Sequence, residues 1–414
     1  MAALRVGFIG TGKKPEKPGP LGYGMAHQHA AAYQSLPAGV VEIVAVADLS
    51  RENAEAFCDL FHVDKNKIYT DYHAMLAQEK LDIVSVATWP HLHAPMVLAC
   101  AKARVKGVFC EKPMADGWGA ARKMHDECRA AGTWLAFNHQ RRYGKPFRIA
   151  RKLIVDGAIG KLQQVQFTCG DIYDYGTHSF DLSNYLNGEQ RAKWVLANID
   201  YRQAKVIFGA HCENQAIVIW EYENGVLGLA ATGAGRGTVL AHNKAIGSEG
   251  IIEIGPQSEG NHPTQLRIHR FGQGGWEYVD CSGEHCHGPG YIERAIADFI
   301  QSVQAGKPSE VDSENALKGT EVIFAAYESS RRHGRVDLPL TISDNPLVSM
   351  VNDGTLKVEG LPAPKPAPKP ASARKSAPPK KAAPPAKPKA KPKPKAKPKS
   401  KAKPKAKQNS KRKR

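Results

Sequence analysis

The sequence lacks what secreted and membrane proteins carry. Its eight cysteines, at 58, 100, 110, 128, 169, 212, 281 and 286, include no CxxC pair. That scatter argues against a disulfide framework and reads as small buried hydrophobes in a reducing compartment. No apolar run reaches membrane length, and the opening MAALRVGFIG has no basic segment ahead of an apolar one. A soluble, cytoplasmic protein without membrane contact is therefore expected. Acidic and aromatic residues are both missing from 361–414, which hold 21 of the 58 Lys and Arg residues. The remaining residues carry 37 basic and 40 acidic side chains, so the net charge of +18 belongs to this tail. A Lys/Pro/Ala segment cannot bury a core and should be disordered and extended. Its composition is like that of linker-histone tails. It is expected either to bind DNA or RNA weakly and without base reading, with nucleoid association as the consequence, or to serve as a solvated tail.

What is present is a regular alternation. RVGFIG, VVEIVAVADLS, LDIVSVAT, VKGVFCEKP and TWLAFNH are short apolar strands separated by helical stretches. Strands apolar on both faces imply a doubly wound parallel sheet covered on both sides, a dinucleotide-binding arrangement over residues 1–140. From 141 to 342 the pattern changes to turn-linked strands, including an Asn-Gly hairpin signal at 224–225. This predicts an α+β domain with an open, mostly antiparallel sheet and helices near 177–187, 291–305 and 313–332. Residues 343–414 read as linker and tail.

Gly10-Thr11-Gly12 follows the first strand, as a phosphate-binding turn should. The fingerprint's third glycine would stand at 15, where the run KKPEKPGPLGYG (13–24) has Pro15. The loop reads as enlarged: the helix starts late, near Gly24 and Met25, and Gly24 takes the third glycine's place at the helix N-terminus. Lys13, Lys14 and Lys17 either cover the phosphates or face water. Asp48 ends the second strand, where an acid hydrogen-bonds a ribose 2′-hydroxyl and disfavours a 2′-phosphate; the competing role is a helix N-cap, which Ser50 fills equally well. Glu111-Lys112-Pro113 sits at the carboxyl end of a strand, the edge at which open α/β sheets bind ligands. With a helix that begins near Tyr175–Gly176, Asp174, His178 and Asp181 stand on one face of its first turns; the competing reading is that Asp174 caps the helix and the other two are surface residues. Arg141 and Arg142, at the domain junction, either reach an anionic or polyhydroxyl substrate or are surface charge. DCSGEHCHG (280–288) lacks two separated ligand pairs and reads as a turn, with no metal expected.

From about residue 4 to 340 the chain resembles the glucose-fructose oxidoreductase, inositol dehydrogenase and MocA-type (Gfo/Idh/MocA) oxidoreductases. The resemblance rests on the GxG turn, Asp48, TWPHLH (88–93), EKP (111–113), DxGxHxxD (174–181), IGSEGIIEI (246–254) and the stretch from Glu314 to Leu340. It implies a Rossmann domain, a second domain whose open sheet makes the oligomer contact, and NAD, rather than NADP, between GxG and EKP. It implies cofactor contacts from Gly10, Thr11, Gly12, Gly24, Met25, Asp48, Thr88, Trp89, His93 and Glu111. Trp89 and His91 depart from the commoner Pro-Asn-x-x-His form. Lys112, Asp174 and His178 match the catalytic residues, and Arg142 and Asp181 are assigned to the substrate. The implied activity is hydride transfer between nicotinamide and a sugar, polyol or related hydroxy compound. His178 and Lys112 can divide the roles of base and oxyanion partner in either order, with Asp174 orienting His178 or holding a hydroxyl. The competing readings are redox-neutral chemistry (epimerase, lyase or hydrolase) with retained NAD, and a nucleic-acid-associated cofactor sensor.

Overall fold

The apolar strands of the first third stack side by side. In the computed structural model, which describes residues 2–13, 24–256 and 265–361, they form one parallel sheet. Its strands are β1 (Leu4–Ile9), β2 (Val41–Ala47), β3 (Ile68–Tyr69), β4 (Ile83–Val86), β5 (Gly107–Cys110) and β6 (Trp134–Phe137), in the order 3-2-1-4-5-6. That order reverses between β1 and β4, which is where a dinucleotide crosses such a sheet. The helices between them are α1 (Met25–Gln34), α2 (Arg51–Phe61), α3 (Tyr72–Gln78), α4 (Pro90–Lys102) and α5 (Trp118–Ala131). β4 and β5 are buried along their whole length, as a sheet covered on both faces requires.

After α6 (Lys145–Val155) the chain builds a mixed nine-stranded sheet. It starts with β7 (Leu162–Cys169), passes through α7 (Gly176–Leu186) and β8 (Ala192–Asp200), and forms a small separate hairpin, β9 (Val206–Ile207) and β10 (Ala210–His211). β11 (Gln215–Tyr222), β12 (Leu227–Thr232), β13 (Ala241–Gly247), β14 (Gly250–Pro256), β15 (Leu266–Arg270) and β16 (Glu277–Tyr278) follow. Only β7 and β12 pair in parallel; the other pairs are antiparallel. The predicted Asn-Gly turn joins β11 to β12, with the Tyr222 amide donating to the Val226 carbonyl at 2.9 Å.

The closing helices tie the halves together. α8 (Tyr291–Ala305) returns to the first sheet, where Phe299 and Ile300 share a core with Ile83 and Phe109. α9 (Ser313–Arg332) is capped by Asp312, which accepts from the Asn315 amide, and its residues Phe324 and Tyr327 join the core beneath the second sheet. Strand β17 (Val336–Asp337) pairs with β8. One expectation is corrected here. The stretch 343–361, read as linker, is part of the fold: α10 (Pro346–Asn352) buries Leu347 and Met350, and the Glu359 amide donates to the Arg202 carbonyl at 2.7 Å. The expectations for Lys14, Lys17 and the tail beyond Leu361 concern positions outside the described residues.

Candidate active site

The glycine turn and the second strand meet first. Gly10 has φ +81°, and a Cβ there would stand 2.5 Å from the Thr88 methyl, so only glycine fits. Asp48 Oδ2 accepts from the Thr11 and Gly12 amides at 2.8 and 2.9 Å and from the Thr11 hydroxyl. Ser50, not Asp48, caps α2 by accepting from the Asn53 amide. Asp48 is thereby free to hold the turn that the cofactor needs. Gly24 stands at the N-cap of α1 in the left-handed conformation (φ 64°) with no side-chain cap, and half-buried Met25 follows as the first helical residue. A helix N-terminus without a side-chain cap and a glycine turn offer N–H donors for a dinucleotide's phosphates, and the acid after β2 offers an acceptor.

At the end of β5, alternation sends successive side chains to opposite sides. Lys112 points to the cleft: its Nζ lies 2.9 Å from Asp174 Oδ1 and 3.2 Å from the Asp174 carbonyl. Glu111 points inward, to His29 Nε2 at 2.9 Å and Asn138 Nδ2 at 2.7 Å. Burial pulls the Glu111 carboxyl up, but the bonds from His29 and Asn138 outweigh it and hold the group below the usual carboxylate range. The placing of Glu111 against the cofactor is thus corrected: its carboxylate is part of the sheet's interior. His93 is corrected likewise. Fully buried, it faces the Pro113 and Met114 carbonyls and the Thr88 carbonyl, and so ties α4 to the EKP turn. Thr88 abuts Gly10, and Trp89 is 48% exposed at the head of α4.

α7 begins just after Asp174. Asp171 Oδ1 accepts from the Asp174 and Tyr175 amides, fixing the turn that presents both side chains. Asp174 therefore engages Lys112, and no bond joins it to His178 among the described residues. His178 is 3% exposed; its Nδ1 is buried without a partner, and its ring lies edge-on to His139 at 5.7 Å. Burial first, then the charges of Arg141 and Lys112, push the His178 imidazole well below its ordinary range. It is neutral at physiological pH.

Asp181 and Arg142 do not face the cleft. Arg142, its side chain 1% exposed, donates Nε and Nη2 to the two oxygens of buried Asp181 at 2.7 and 2.6 Å, and Nη1 to half-buried Glu189 at 2.6 Å. Their assignment to the substrate is replaced by a buried bidentate pair that fixes α7 against the junction. The neighbouring Arg141 goes the other way, into a group that sequence reading did not assemble. Its guanidinium lies 4.2 Å over the Tyr175 ring and donates to His242 Nε2 at 3.1 Å. Tyr175 Oη meets His287 Nε2 at 2.5 Å, so the 280–288 turn contributes to the cleft after all. Burial, then Arg141, push His242 down to about 3. Arg141, Tyr175 and His287 each lie in a stretch that the sequence singles out, whereas His242 comes from β13, and no spacing joins the four.

Known proteins share this two-domain arrangement. Residues 4–139 match the family model described as an oxidoreductase family, NAD-binding Rossmann fold, and residues 161–338 match that family's C-terminal alpha/beta domain. Myo-inositol 2-dehydrogenase of Thermotoga maritima is 25% identical over 353 residues, 81% of this chain and 98% of that protein. Inositol 2-dehydrogenase of Paracoccus denitrificans is 31% identical over 217 residues, 50% of this chain and 57% of that protein. An inositol dehydrogenase homolog from Azotobacter vinelandii, solved with NADH and myo-inositol, shares the fold with a TM-score of 0.65, at 22% identity and covering 81% of this chain and 98% of that one. With its two domains matched in order, this chain belongs to the Gfo/Idh/MocA family of NAD-binding oxidoreductases.

Proposed function

We propose that this oxidoreductase is an NAD-dependent dehydrogenase that oxidises a CH–OH group of a sugar, polyol or related hydroxy compound. The observation that carries the reading is the Lys112–Asp174 pair beside a buried, neutral histidine whose Nδ1 has no partner. His178 takes the hydroxyl proton. Lys112, kept in place by Asp174, stabilises the negative charge that grows on the same oxygen. Asp171 in turn holds the backbone carrying Asp174. Gly10, Thr11, Gly12, Gly24, Met25 and Asp48 would hold the cofactor, which supplies the hydride acceptor when bound. The Asp48 carboxylate disfavours a 2′-phosphate and so favours NAD over NADP.

The test is a screen of the full-length protein against sugars, polyols and inositols with NAD and with NADP. NADH formation with at least one of them, and a preference for NAD, is expected. Bound NAD that cycles without net NADH would instead favour redox-neutral chemistry.

Two partner assignments accompany this reading. The outward face of β8, β11 and β12 exposes Leu196, Ile217, Ile219 and Leu227, and Ile219 lies in register with Leu196. A contiguous apolar strip of this kind supports a homo-oligomer formed through the second sheet. The basic segment 361–414 supports weak, salt-sensitive nucleic-acid association, with a cytoplasmic location. Among the described residues, no helix is long and apolar enough to cross a membrane.

A further inference from the structure

Arg141 is a buried cation without a counter-ion. It is 7% exposed, and no carboxylate pairs with it among the described residues. Nη1 donates to His242 and the guanidinium also hydrogen-bonds the Tyr175 hydroxyl, so both of its side-chain partners are neutral groups. Its other neighbours carry no negative charge: Tyr175 under the guanidinium plane, His242 and His287 beside it. Burial raises the Tyr175 phenol against Arg141's opposing pull, so that ring stays neutral too. The cleft's second cation, Lys112, already has Asp174. A guanidinium left alone in such a setting carries a large desolvation cost, and a substrate anion is the group that would remove it.

Resting on the dehydrogenase reading above, we propose that the substrate is a polyhydroxy acid whose carboxylate is bound by Arg141. The reacting CH–OH then lies toward Lys112 and His178, and the carboxylate toward Tyr175, His242 and His287. A planar carboxylate suits the planar fork of a single guanidinium, with two parallel N–H···O bonds. A phosphate dianion would ask for more positive charge than a single guanidinium offers.

The experiment titrates the full-length, NADH-loaded protein calorimetrically with matched compounds: D-glucuronate, D-galacturonate and D-gluconate against D-glucose, D-galactose and D-glucitol, with D-glucose 6-phosphate as the competing anion. At least one acid should bind at least about tenfold tighter than its neutral partner. Arg141→Gln should abolish that preference, weakening the acid by more than its neutral partner, and Arg141→Lys should restore part of it. NADH binding by each variant confirms that the fold is kept. Equal or better binding of the neutral partners, a preference for the phosphate, no binding of any acid, or a preference that survives Arg141→Gln overturns the proposal. Hydride transfer is read separately by NADH absorbance. Its absence with every compound would contradict the dehydrogenase reading while leaving the acid preference to stand or fall on binding.

Discussion

Arg141 and Arg142 are adjacent in sequence and end in opposite settings. Arg142 sits in a closed network with Asp181 and Glu189, both oxygens of one carboxylate and an oxygen of the other satisfied. Arg141 faces neutral rings across a cleft that also holds Lys112, Asp174 and His178. The difference teaches how to separate structure from function around a substrate site. Where charge is fully matched by the chain itself, the group holds elements together. Where a charge beside the substrate cleft has no counter-ion from the chain, a ligand is the group that can supply one.

The contrast can be broken at its strongest point first. Asp181→Ala leaves Arg142 buried with only Glu189 as its acidic partner. Removing one member of a buried pair costs about 3–5 kcal/mol, which should appear as a lower denaturation midpoint. Unchanged stability would place Asp181 with the cleft instead. Acid is the next lever. The His242 imidazole is lowered to about 3 by burial and by Arg141, so folding keeps it neutral where the unfolded chain would protonate it. Its folded pKa lies below the unfolded value of about 6.5, so its contribution is complete above that pH and is lost as the pH falls toward 3. By pH 5 the loss is about 2 kcal/mol, and His242→Gln should flatten that part of the stability curve. An equally steep curve in the variant would move the acid sensitivity elsewhere. The smallest effect is expected from deleting residues 362–414. Stability and turnover should stay within error while retention on a DNA column falls to background at low salt. Retention that persists would assign polyanion binding to the folded part.

The same contrast explains what was legible in the sequence. Motifs whose spacing is rigid were readable: the Gly10–Gly12 turn, the Lys112 strand end and the Asp174–His178 helix start all lie where the pattern puts them. The long helices α8 and α9 were readable from their periodicity. The partners of each charge were not. Arg142 and Asp181 are 39 positions apart, and Arg141 and His242 are 101 apart. Strand alternation turned Glu111 away from its neighbour Lys112, so one motif contains both an interior and a cleft residue. α10 escaped because a seven-residue helix with three buried apolar residues, Pro346, Leu347 and Met350, has too little period to stand out from a linker.

The central claim is that Lys112 acts on the reacting oxygen and not on the cofactor. Single-turnover hydride transfer by Lys112→Ala, measured with its NADH dissociation constant, tests it most directly. The rate should fall by about 10²–10³ with NADH affinity unchanged. Transfer at the parent rate, or a loss confined to NADH binding, would contradict it.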